Sequence, residues 1–167
     1  MPSKTSWMDR IVAALLAAAV VVLLSIWPFQ GLHPQVWSET ATAAGLLPPD
    51  HMLPGLGVYL AHLVFAVLPA ATALSVMGWL AKLSVAVCVY LAYGAISGVL
   101  DLMTASVARD QSRRRLAVRL SSGIAALMLG CSDPFWCAAQ GVSGSLFVVF
   151  LVVLSLWLFV RLLRQAS

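Results

Sequence analysis

Two stretches without a single Lys or Arg, Gln30–Pro54 and Ser132–Gly141, hold five of the nine Asp, Glu and His side chains. The first carries His33, Glu39, Asp50 and His51; the second carries Asp133 beside Cys137. Glu39 lies in Trp37-Ser38-Glu39-Thr40-Ala41-Thr42-Ala43-Ala44, a run that can start a helix with Ser38 as its cap. A carboxylate at a helix start above an apolar cavity can serve as a general base with a raised pKa. The same residue also reads as a solvated loop acid that favours the helix dipole. Asp50-His51 follows Pro48-Pro49 and is either an acid/base pair or an ordinary turn; Asp133 precedes Pro134, a common turn or cap. Lys82 stands in an apolar run near the outer end of its span. It is either an interfacial anchor whose stem snorkels or a cation facing an outer cavity.

The thiols add little chemistry. Cys88 is surrounded by apolar residues and reads as core. Cys131 and Cys137 flank a polar segment with no His nearby, so a metal site is not indicated, while a disulfide stays open if the loop faces an oxidising compartment. No P-loop, dinucleotide fingerprint, His-Glu-x-x-His or nucleophile elbow occurs.

The elements that must position these groups belong in lipid. Of 167 residues, 62% are hydrophobic and 10% charged, and the mean hydropathy is +0.97. A soluble domain runs about 45–50% apolar and about 25% charged. So small a globule cannot hide the surplus, which excludes a soluble enzyme, a disordered chain and a nucleic-acid module. The expected class is all-α: a polytopic membrane protein in one membrane domain.

A crossing helix needs about 20 apolar residues. Spans are expected at about 11–29, 74–103, 116–130 and 142–163. The net charge of +4, ten Lys and Arg against six Asp and Glu, is distributed unevenly. Basic residues gather at Lys4/Arg10, at Arg109/Arg113/Arg114/Arg115/Arg119 and at Arg161/Arg164. Cytoplasmic flanks collect Lys and Arg, so four spans put all three clusters and both termini inside, with the base-free loops outside. A bacterial cytoplasmic membrane fits this pattern. The arginine run is a topology signal and a contact for anionic headgroups. Asp101 is expected to balance the arginines, and Asp110 to pair with Arg114 four residues on.

Four spans require that residues 54–69 do not cross. This proline-bracketed segment is short, and Leu56, Leu60, Leu63, Val64 and Val67 form one apolar face. It is expected to lie along the outer interface as part of an outer loop covering 30–73.

The order of parts resembles the N-terminal part of the C-type membrane glycosyltransferases, and more closely the bacterial family related to protein O-mannosyltransferases. There a first outer loop reads roughly Gly-Asp-Ser-Gly-Glu-Leu, followed by a His-Pro-Pro-Gly-Tyr-Pro-Leu-Tyr type turn. Glu39 matches the Glu, and Leu47-Pro48-Pro49-Asp50-His51-Met52-Leu53-Pro54-Gly55-Leu56-Gly57-Val58-Tyr59 occupies the place of the turn. Ser132-Asp133-Pro134-Phe135-Trp136 is similar to a later Ser-Pro-x-Phe-Trp element. Val36 stands where the family has an Asp, and Ser143 where a further acid is expected.

The resemblance implies sugar transfer at the outer face from a polyprenyl-phosphate-linked donor. Glu39 would be the general base, with Asp133 positioning acceptor or a divalent metal ion, and His51 and Lys82 meeting the donor. Such enzymes use many more spans than four, so the chain looks like a front end that shows no transfer by itself. The rival class is a non-catalytic scaffold or assembly subunit that binds membrane lipids and a membrane-protein partner, or a relic of such an enzyme. Solute transport is disfavoured because no intramembrane charge pairs are legible.

Overall fold

The computed structural model describes residues 7–26, 40–42, 44, 56–104, 111–139 and 144–166. Among these residues there are six helices and no strand: α1 (Trp7–Ile26), α2 (Leu56–Val67), α3 (Ala70–Thr104), α4 (Gln111–Gly130), α5 (Asp133–Ala138) and α6 (Gly144–Ala166). Residues 40–42 are also helical, and the Ala44 amide donates to the Thr40 carbonyl at 2.9 Å. The protein is an all-α membrane protein. Three helices, α1, α3 and α6, contain stretches long and apolar enough to cross a bilayer.

The helix limits follow local chemistry. Pro69 cannot donate to a preceding turn, so the chain breaks at Leu68-Pro69 and α3 starts afresh. The expected span at 74–103 is observed as a 35-residue helix, about 52 Å at 1.5 Å per residue. Its hydroxyls bond within the helix, Ser84 to the Leu80 carbonyl at 2.8 Å and Thr104 to the Leu100 carbonyl at 2.6 Å. That is the economical arrangement where no water is at hand. The first expected span, 11–29, is a helix that begins earlier, at Trp7, and is described to Ile26; residues 27–29 lie outside the described ones. The last, expected at 142–163, is described from Gly144 and runs on to Ala166.

The third expected span, 116–130, differs in an instructive way. α4 begins at Gln111, so Arg113, Arg114, Arg115 and Arg119 belong to the helix itself. Hydropathy starts the span where the arginines thin out, but arginine has a high helix propensity and extends the helix freely. Leu116, Leu120, Ile124 and Met128, each four residues apart, form an exposed apolar stripe along α4. Such a row on one face is suited to lipid.

α3 is the central helix. Of its apolar window 56% is buried, against 22% for α1 and 6% for α6. The main core joins Val20 and Leu24 of α1, Val85, Cys88, Val89 and Tyr93 of α3, Ala126 of α4 and Phe135 of α5. Cys88 is core, as its sequence context suggests. Close contacts fix the directions of the helices. Val89 and Val20 both crowd Gly130, while Arg114 reaches Thr104, so α4 runs antiparallel to α3. Trp157 lies against Gly94 and Val160 against Gly98, so α6 runs parallel to α3. Leu16 lies beside Gly123, and Asp9 meets Arg119, so α1 runs antiparallel to α3 and α4 packs beside both. One end of the bundle therefore gathers Asp9, Asp101, Arg114, Arg119 and Arg164.

The segment expected at 54–69 as an interfacial helix is α2, of 12 residues. At about 18 Å it is too short to cross a hydrocarbon core of about 30 Å. Val58 and Ala61 are buried against Phe65 and against Met77 of α3, so α2 folds back over the start of α3. Leu63 and Val67, of the expected apolar face, point away from the protein and are exposed.

Candidate functional site

The residues expected from sequence to form an outer site are only partly within the described structure. Glu39 and His51 lie outside the described residues, as do His33 and Asp50. Residues 40–42, next to Glu39 in sequence, are helical; the expected helix start at Ser38-Glu39 lies outside the described residues. Asp133 is exposed and opens α5, at the end of the bundle remote from the arginines. Behind it Phe135 is buried in the main core and Trp136 packs against that core, so the Asp-Pro-Phe-Trp element plugs the bundle end. Lys82 places its ammonium over the Trp79 ring, 5.0 Å from the centroid. Cys131 is a free, exposed thiol. Among the described residues no three His, Cys, Asp or Glu side chains gather as metal ligands.

The structure instead concentrates charge at the other end. Arg119 Nε donates to Asp9 Oδ1 at 2.6 Å, joining α4 to α1 across 110 positions of sequence. One guanidinium nitrogen of Arg164 donates to Asp101 Oδ2 at 2.8 Å and to the Ser97 carbonyl at 3.2 Å, joining α6 to α3. Arg114 donates to the Asp101 carbonyl at 2.6 Å and to Thr104 Oγ1 at 3.0 Å, and lies 3.8 Å from Asp101 Oδ1. Asp101 thus balances two arginines from two helices, as expected. Arg114 is engaged with α3, and the expected Asp110–Arg114 pair falls on Asp110, which lies outside the described residues. The partners of the Asp9–Arg119 and Asp101–Arg164 pairs sit 110 and 63 positions apart, beyond any local pattern.

Small residues let the helices come this close. A Cβ on Gly94 would lie 3.0 Å from Trp157 Nε1, and one on Gly98 would collide with Val160. Gly94-Ala95-Ile96-Ser97-Gly98 is therefore a small-x-x-x-small contact, the pattern by which membrane helices approach without a hydrophobic driving force. Sequence reasoning misses it, although the spacing of the two glycines is a visible signal.

Between α1, α3 and α6 the charged end opens into a cleft of ≈ 490 Å³ whose lining includes Arg10, Tyr93, Trp157, Arg161 and Arg164. Arg161 stacks on Trp157, 5.3 Å from the ring centroid. Tyr93 is 1% exposed, and its hydroxyl has no hydrogen-bond partner among the described residues. A second cleft of ≈ 700 Å³ lies between the starts of α1 and α4, lined by Met8, Arg113, Arg115 and Arg119 among others. Together they make one end of the molecule a basic, partly apolar surface.

Comparisons with protein-family models, curated proteins and solved structures yield no match. The arrangement must be interpreted from its own chemistry. What it can do is hold anions: guanidinium groups offer planar, forked donors suited to phosphate oxygens.

Proposed function

We propose that the chain is a non-catalytic membrane scaffold subunit, seated in a bacterial cytoplasmic membrane with its arginine end on the cytoplasmic side. Both termini belong to that side, α1, α3, α4 and α6 cross, and α2 stays near the outer face. One observation carries the reading: the basic residues of α1, α4 and α6 gather at one end, where Asp9 and Asp101 tie the helices together. Lys and Arg collect on cytoplasmic flanks because the inner leaflet attracts them and their translocation is disfavoured. Arg113 and Arg115, exposed on the first turns of α4, are placed to meet anionic headgroups. The exposed apolar stripe of α4 and the exposed Phe159, Leu162 and Leu163 of α6 meet acyl chains.

A second reading keeps the chain as the front end of a sugar transferase that uses a polyprenyl-phosphate donor. The helical residues 40–42 beside Glu39 in sequence and the exposed position of Asp133 support it. In that reading Glu39 is the base, Asp133 positions the acceptor or a divalent cation, and His51 and Lys82 meet the donor. Against it stands the structural duty of the Asp-Pro-Phe-Trp element, whose Phe135 is consumed in the core. Sugar transfer from polyprenyl-phosphate donors, measured for the wild-type protein beside Glu39→Gln, separates the two. The scaffold reading expects no Glu39-dependent transfer. Transfer that is lost in Glu39→Gln overturns it in favour of the transferase.

A further inference from the structure

We infer that the cleft between α1, α3 and α6 is a binding site for the phosphate of one anionic lipid, held by Arg10, Arg161 and the Tyr93 hydroxyl. This deepens the proposed anchoring at the arginine end and rests on it for the source of the lipid, the inner leaflet.

Asp9 accepts from Arg119, and Arg164 is engaged with Asp101 and the Ser97 carbonyl. Arg10 and Arg161 have no acidic partner among the described residues, and both are exposed on the same cleft. Two guanidinium groups left over at one opening call for an anion.

Tyr93 supplies an independent observation. A buried hydroxyl without a partner is costly and is rarely left so. Tyr93 lines this cleft, is 1% exposed, and its hydroxyl is unpartnered among the described residues. It is a donor awaiting an acceptor beside surplus positive charge, and a phosphate oxygen is the acceptor such a pair of arginines brings.

The remaining walls decide the source. Ala13, Leu91 and Val160 make much of the lining apolar, and the cleft, ≈ 490 Å³, is far roomier than a bare phosphate needs. Beside it α6 exposes Phe159, Leu162 and Leu163. A phosphodiester seated between Arg10 and Arg161 can continue into acyl chains lying along this surface. A free phosphate would leave the apolar lining unused.

The test is lipid retention by the full-length protein after extraction from discs of phosphatidylglycerol or of phosphatidylcholine, read by native mass spectrometry. Both leaflets of a disc share one composition, so the result does not depend on which way the chain crosses a cell membrane. The wild type should retain one phosphatidylglycerol per chain and little phosphatidylcholine. Losing a hydrogen bond to a charged group weakens binding by about tenfold, so Arg10→Gln/Arg161→Gln should lower retention at least that much. Tyr93→Phe, which removes only the oxygen, should lower it by a similar factor. Millimolar inorganic phosphate should not displace the lipid. Retention unchanged in both variants, or equal retention of phosphatidylcholine, overturns the proposal. Displacement by inorganic phosphate overturns the lipid assignment and makes the cleft a site for a soluble phosphate.

Discussion

The two ends of the bundle are built from different forces. At the arginine end Asp9 and Asp101 bind α1 to α4 and α3 to both α4 and α6 through ion pairs. At the opposite end Gly130 lets Val20 and Val89 close in, and Phe135 joins the same apolar core. The difference teaches that charge here chooses which helices meet at one end and, under the proposed topology, also marks one side of the membrane. At the far end packing chooses which helices meet.

The sharpest contrast should appear in Phe135→Ala. Truncating a buried Phe costs roughly 3–5 kcal/mol. The variant should lose thermal stability in detergent by an amount that does not change with added salt. A salt-sensitive loss would mean that the far end also depends on charge.

Gly98→Ala should come next. The new methyl would collide with Val160 and stand 3.3 Å from the Arg164 guanidinium. Overpacking of this kind costs about 1–3 kcal/mol. Gly78, on the same helix, is the control, because a methyl group added there would meet nothing within 4 Å. Gly78→Ala should be neutral or stabilising by up to about 1 kcal/mol, from helix propensity alone. Equal melting temperatures for the two variants would remove the small-residue contact between α3 and α6.

Asp101→Asn should have the smallest effect of the series. It deprives Arg114 and Arg164 of a shared carboxylate, but that side chain is 44% exposed, so solvent screens the loss. About 1 kcal/mol is expected, shrinking as salt is raised. A loss as large as that of Phe135→Ala would show that the two ends are held by comparable forces.

How much of this is legible in sequence differs between the ends in the same way. The all-α membrane class and the rough positions of the long helices follow from hydropathy, and the arginine clustering from inspection of charge. Asp101 can be assigned to the arginines because it falls at the same end of its span. The Asp9–Arg119 pair cannot, since 110 positions separate its partners and only the packing of α1 on α4 brings them together. The start of α4 differs from expectation because apolar content defines a span while helix propensity defines a helix, and arginine separates the two. In α2, Leu63 and Val67 face away from the protein, as membrane helices allow, while Val58 and Ala61 make the contact. The acids that look most chemical lie outside the described residues or, in Asp133, at the exposed start of α5. The cleft is invisible in sequence because Arg10, Tyr93 and Arg161 come from three separate helices.

The central claim is that the arginine end faces the cytoplasm and the Asp133 end faces outward. Single cysteines at Ser112 and Ser143, in a protein whose Cys88, Cys131 and Cys137 have been replaced, test it with a membrane-impermeant thiol reagent on intact cells. Labelling at 143 in intact cells, with labelling at 112 only after permeabilisation, is the predicted result. Labelling at 112 in intact cells would contradict it.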